Sequence, residues 1–198
     1  MTSPLILAFD TSGPYCAAAL LSGRRILSTK VDEMARGQAE HLFPLLEALL
    51  ADKNINWQEL TAIGVGVGPG NFTGIRISVA AARGLALSLG IPARGISSLE
   101  AQFTGSPLIA QVPAPRQQSY IQMFSPQDEP PQLVTHSEAE NLSSKRGIPL
   151  GAPLSPQDLV SVIATRVAQG LGATPPAPLY VRSADAAPPK DPAPVILP

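Results

Sequence analysis

The chain has 198 residues, 44% hydrophobic and 15% charged, with a formal net charge of −1. That suffices for one domain or two small ones with a sizeable core, and the near-neutral balance supplies no overall electrostatic drive toward nucleic acid. One cysteine excludes an intrachain disulfide, and no uninterrupted apolar stretch reaches the roughly 18 residues of a membrane span, so a soluble protein of a reducing cytoplasm is expected.

In chain order, LILAFDTS reads as a strand ending at Asp10, and YCAAALLSG and RRILSTKVD read as two more strands around the turn at SGRR. Cys16, inside the second, is expected to be a buried thiol. GQAEHLFPLLEALLADKNI places Leu42, Leu45, Leu46, Leu49 and Leu50 on one helical face, with Pro44 requiring the helix to begin nearby or bend. LTAIGVGVG is the next strand, and Asn71 is placed to cap a helix running to Leu89. IPARGISSLEAQ supplies a short strand and a helix start. Five of the 22 prolines lie in residues 1–100, so the second half is sparser. SPLIAQVPAP and QSYIQMFSP can pair as strands, and SPQDLVSVIATRVAQG is a helix capped by Ser155 with Pro156 at its first position. The Pro- and Ala-rich tail from Thr174 is expected to be extended or partly disordered. The order predicts a mixed α/β fold with an initial meander. Residues 1–103 form the first lobe, and residues 104–198 a shortened second lobe with a Pro-rich tail.

The chemistry-bearing stretch is GVGVGPGNFTGIR. A Walker-type loop needs a Lys after its last Gly, where GPGNFTG has Asn71, and the dinucleotide pattern fails at Pro69. Backbone N–H groups at the helix start can attract an anion; the glycines equally serve a tight turn and close packing of helix on sheet. Asp10 reads either as a carboxylate holding Mg²⁺ through water or as a turn-capping aspartate. His41 and His136 are far apart in sequence and have no His, Cys or Asp partner at helical ligand spacing, so no metal site is expected. Gly74, Ala80, Ala81, Ala82, Gly84 and Ala86 give the following helix a small-residue surface, suited to core packing or to a subunit interface.

LAFDTSGPYCAAAL, GQAEHLFPLLEALL and GVGVGPGNFTGIRISVAAARGLA resemble the TsaB (YeaZ) family over about residues 5–102, with weaker support from QSYIQMF and PLYVRSADAAPP. The resemblance implies the fold of the acetate kinase, sugar kinase, Hsp70 and actin superfamily, which is RNase H-like, here with a reduced second lobe. It implies a non-catalytic subunit that pairs with a TsaD-like catalytic subunit. With a TsaE-like ATPase, these form threonylcarbamoyladenosine at adenosine 37 of tRNAs reading codons that begin with A. The tRNA is engaged indirectly through the complex, and a homodimer forms when the partner is missing. No cofactor, metal or catalytic residue is expected. The catalytic sister carries a His-x-x-x-His pair on the helix matching residues 37–52, where this chain has His41 flanked by Gly37 and Leu45. Where relatives commonly read Asp-Ala-Arg-Arg, this chain reads PAPRQQSY, with Pro113 in place of the acid and Arg116 retained.

On that resemblance the expected partner interface comprises Leu42, Leu45, Leu46 and Leu49 with Ile75, Val79, Ala82, Arg83 and Ala86, each alternatively intramolecular core. Asp10, Thr11, Ser12, Gly68, Gly70, Asn71, Thr73 and Gly74 are expected to form a vestigial phosphate loop. Two other readings remain from the sequence: a small nucleotide-dependent kinase of the same superfamily, and a glycoprotease-like peptidase. The first lacks the lysine and the second-lobe acid. The second lacks a histidine close in sequence to Ser12, Ser97 or Ser98.

Overall fold

The computed structural model describes residues 3–124 and 128–181. The first three strands form the expected meander: β1 (Leu5–Asp10), β2 (Tyr15–Ser22) and β3 (Arg25–Glu33), paired antiparallel. Then come helix α1 (Gln38–Ala51), strand β4 (Ala62–Gly66), helix α2 (Phe72–Leu89) and strand β5 (Ala93–Ile96). β4 pairs parallel to β1 and β5 parallel to β4, giving a five-stranded sheet in the order β3-β2-β1-β4-β5. A second sheet, in the order β6-β7-β8, is the antiparallel run of Leu108–Ala114, Gln118–Phe124 and Gln132–Thr135. Helices α3 (His136–Arg146) and α4 (Pro156–Ala168) follow.

Alternation along β1 explains the layering. Leu7 and Phe9 face the core under α1 and α2, whereas Ile6 and Ala8 face the opposite core with Leu159, Ile163 and Val167 of α4. The first sheet is therefore covered on both faces, and one cover comes from the second half of the chain. The close approach of α4 needs Gly64, whose Cβ would lie 2.9 Å from Ile163 Cγ2.

The helix ends follow local chemistry. Asn71 Oδ1 accepts from Gly74 N at 2.8 Å and starts α2, and Ser155 Oγ accepts from Asp158 N at 3.1 Å to start α4. Helix α1 begins at Gln38 and runs through Pro44. Pro44 removes a donor, but it and Glu40 lie on the exposed side of the helix, where water can satisfy the free carbonyl. Helix α3 was not anticipated: Ala139 is its one buried residue, so no apolar stripe marks it, and its signal is the reciprocal cap between Thr135 and Glu138.

By length and composition α2 is apolar enough to cross a membrane, but here it lies on the sheet. From Thr174 to Val181 the chain forms no helix or strand, and its remainder, 182–198, lies outside the described residues.

The two sheets are joined by a buried amide. Gln102 donates through Nε2 to the carbonyls of Ser98 (3.0 Å) and Gln111 (2.8 Å), while its Oε1 accepts from Gln111 N at 3.1 Å. A half-buried strap, residues 172–181, returns to the first sheet. Gly95 and Ala173 exchange backbone hydrogen bonds, and Leu179 N donates to Val67 O at 2.8 Å.

Candidate functional site: the inter-sheet cleft

β1 delivers Asp10 to the C-terminal edge of the first sheet, where the chain turns into Thr11, Ser12 and Tyr15. Its Oδ2 accepts from Ser12 N (3.2 Å), Ser12 Oγ (2.7 Å) and Tyr15 OH (2.7 Å). Its Oδ1 is buried and has no hydrogen-bond partner. Burial raises the Asp10 pKa above its ordinary 3.8, against the opposing pull of the Ser12 and Tyr15 hydrogen bonds. Tyr15 is raised too, first by burial and then by the Asp10 charge. Gly66 on the neighbouring strand is obligatory beside this carboxylate, since a Cβ there would lie 2.0 Å from Asp10 Oδ1.

The glycine loop packs directly on this turn. Asn71 N donates to Ser12 O at 2.7 Å, and Thr11 Oγ1 donates to Gly74 O at 2.7 Å. A Cβ on Gly70 would sit 2.4 Å from Ser12 O, and one on Gly74 1.9 Å from Thr11 O. Gly68 has φ +92°, a left-handed conformation that favours glycine. Of the loop residues named from sequence, Asp10, Thr11, Ser12, Gly68, Gly70, Asn71 and Gly74 come together. Thr73 is exposed on the first turn of α2.

Beside them lies a cleft of about 540 Å³ between the two sheets. The first half contributes Ser12, Tyr15 and Asn71, and the second Val112, Tyr120 and Leu154. Asp10 is absent from its wall, because Ser12 and Tyr15 cover it. Among the described residues no charged side chain lines this cleft. Pro113 and Pro115 are on the wall, whereas Arg116, with φ +62°, sits exposed on the turn between β6 and β7. Among the described residues such a cleft offers hydroxyls, amides and apolar surface, but no cation to neutralise a phosphate and no carboxylate or imidazole to act as acid or base.

The helix residues expected at a partner interface divide differently. Leu42, Leu45, Leu46, Leu49, Ile75, Val79 and Ala82 are at most 4% exposed and belong to the chain's own core. The correction has a simple cause: each helix must bury one apolar stripe on the sheet, and these residues are that stripe. Arg83 is exposed and Ala86 half-buried. His41 lies on the surface, with Nε2 2.6 Å from Asp32 Oδ2. Cys16 is buried as expected, its thiol pushed up to about 11 by burial and by the nearby Asp32 and Asp10.

The family model described as tRNA N6-adenosine threonylcarbamoyltransferase (TsaD) matches residues 26–117. An uncharacterized protein of Mycobacterium tuberculosis is 40% identical over 48% of this chain and 46% of its own length. The tRNA threonylcarbamoyladenosine biosynthesis protein TsaB of Bacillus subtilis is 38% identical over 48% of this chain and 42% of its own. The chain thus spans about half the length of the curated relatives it matches. The solved structure of YeaZ from Pseudomonas aeruginosa superposes with a TM-score of 0.66 at 26% identity, covering 89% of this chain and 99% of that one. A meander continued by parallel strands, a glycine loop folded onto an Asp-Thr-Ser turn, and these likenesses together make the chain similar to the TsaB/YeaZ proteins, with an actin-like α/β fold.

Proposed function

We propose that the chain is a non-catalytic subunit in the formation of threonylcarbamoyladenosine at position 37 of tRNAs reading codons that begin with A. In this reading it binds and supports a TsaD-like catalytic subunit in the cytoplasm, works with a TsaE-like ATPase, and meets tRNA through the complex. The observation that carries it is the cleft: the place where kinase-like relatives hold a nucleotide has no charged lining among the described residues, and Asp10 is sealed behind Ser12 and Tyr15. The Asp-Thr-Ser turn and glycine loop are then a phosphate-loop architecture without its chemistry.

The surface that meets the partner is the outer side of α1 and α2. It carries Glu40 and Glu47 on α1, Arg76 and Arg83 on α2, and the exposed apolar side chains Phe43 (42%) and Leu87 (86%). The acidic pair and the basic pair have the same seven-residue spacing, which also suits a homodimer of the isolated chain through α1 against α2. Arg83 and Ala86 stay on this surface, while the buried leucines set the angle of the helices beneath it.

Affinity capture of the tagged chain from its native cells, followed by partner identification and size-exclusion chromatography of the recombinant pair, tests the reading. A stable complex with the TsaD-like subunit is expected. Its absence at micromolar concentrations, with both proteins folded, refutes the reading.

A further inference from the structure

The strap ends on a cluster that the cleft does not use. Tyr180 OH accepts from Arg76 Nε at 2.9 Å, the Arg76 guanidinium carbon lies 3.8 Å from the Phe72 ring centre and 5.8 Å from that of Tyr180, and the two rings are 5.0 Å apart. All three side chains are exposed, Phe72 at 40% and Tyr180 at 43%. Among the described residues Arg76 Nη1 and Nη2 have no acceptor. A long cationic side chain on a helix surface ordinarily samples many rotamers, and fixing it on binding is unfavourable. Here one ring stacks on the guanidinium and a phenol oxygen takes Nε, so the outward fork is already oriented. From Phe72 to Leu89 the helix carries no Asp or Glu, and Arg83 repeats the positive charge two turns further on.

We infer that the strap preorganises Arg76 as a docking anchor for a carboxylate of the partner protein, and that Tyr180 is the residue that positions it. The inference rests on the reading that this face of α2 meets the TsaD-like subunit, and it names that subunit's acidic side chain as the occupant. Two parallel N–H···O bonds from Nη1 and Nη2 match a carboxylate, and the positive face of α2 favours an acidic counterpart. Strap docking and partner binding are therefore coupled: releasing residues 172–181 from β5 and α2 lowers partner affinity without altering the partner-facing helix itself.

Calorimetric titration of the TsaD-like subunit into the full chain tests this, with thermal melting of each variant. Arg76→Ala is expected to weaken binding at least about tenfold. Arg76→Lys should recover little of that loss, because an ammonium cannot form the paired bonds. Tyr180→Ala should weaken binding by roughly threefold to tenfold and Tyr180→Phe by less, at melting temperatures near wild type, as expected of surface substitutions. Wild-type affinity in Arg76→Ala, or full rescue by lysine, overturns the anchor. Wild-type affinity in Tyr180→Ala beside a weakened Arg76→Ala overturns the role of the strap. Loss of tRNA binding or of self-association in Arg76→Ala, with the subunit affinity intact, also overturns the assignment. A wild-type chain that does not bind the subunit overturns the functional reading as well, and so is told apart from these.

Discussion

Ala82 separates two uses of one helix face. It is 0% exposed, among Ile75 and Val79 of its own helix and the leucines of α1. Ala82→Glu adds four heavy atoms where the packing holds none, a cost of about 1–3 kcal/mol from overpacking. The new carboxylate has no cation within the cluster, and an unpaired buried charge costs on the order of 3–5 kcal/mol. Set against a typical stability of about 5–15 kcal/mol, the substitution consumes much of the margin. At roughly 2–4 °C per kcal/mol for a chain of this size, the melting temperature should fall by about 10–30 °C. Burial raises the pKa of the introduced carboxyl, so the penalty is smallest at low pH and grows as pH rises through that value. Differential scanning calorimetry at pH 5 and pH 7.5 should thus show the larger loss at pH 7.5. Arg83→Glu, one residue on and exposed, is the control and should melt within a few degrees of wild type. A near-native melting temperature for Ala82→Glu would refute the core assignment and return this face to the partner interface.

Asp10→Asn removes the buried carboxylate while keeping an oxygen for Ser12 and Tyr15. The raised folded pKa of Asp10 gives wild type a contribution that is full below 3.8 and lost as pH rises through the raised value. The melting temperature of Asp10→Asn relative to wild type should therefore improve from pH 4 to pH 7; a pH-independent difference would mean the hydrogen bonds offset the burial. Gly74→Ala places a methyl group 1.9 Å from the Thr11 carbonyl oxygen, forcing the start of α2 away from the Asp-Thr-Ser turn. It should destabilise by at least about 1–3 kcal/mol in denaturant unfolding, and an unchanged midpoint would mean the two loops are not in contact.

The first sheet was legible because its strands are short apolar runs ended by turn residues, and because Asn71, Ser155 and Pro156 announce their helices. The side on which a helix stripe lies was not legible. Leu42, Leu45, Leu46 and Leu49 satisfy the pattern of a core face and of an interface equally, and the sheet's demand for a cover decides between them. Nor does local sequence say where α4 goes: Leu159, Ile163 and Val167 mark a stripe, and its partner, Ile6 and Ala8, is some 150 residues earlier. The turn and the Asn71 cap of the glycine loop are legible in its motif, but the sealing of Asp10 depends on Tyr15 at the start of β2, a matter of strand register. The Arg76–Tyr180 clamp joins residues 104 positions apart, beyond any periodicity.

Reconstitution addresses the central claim most directly. Unmodified tRNA is incubated with threonine, bicarbonate, ATP, the adenylate-forming enzyme and the TsaE-like ATPase, with and without this chain and with and without the TsaD-like subunit, and threonylcarbamoyladenosine is quantified by nucleoside mass spectrometry. A scaffold subunit requires that product form when both are present, fall sharply when this chain is omitted, and be absent when this chain is the only one of the two supplied. Product formed by this chain without the TsaD-like subunit, or full activity in its absence, would contradict the account.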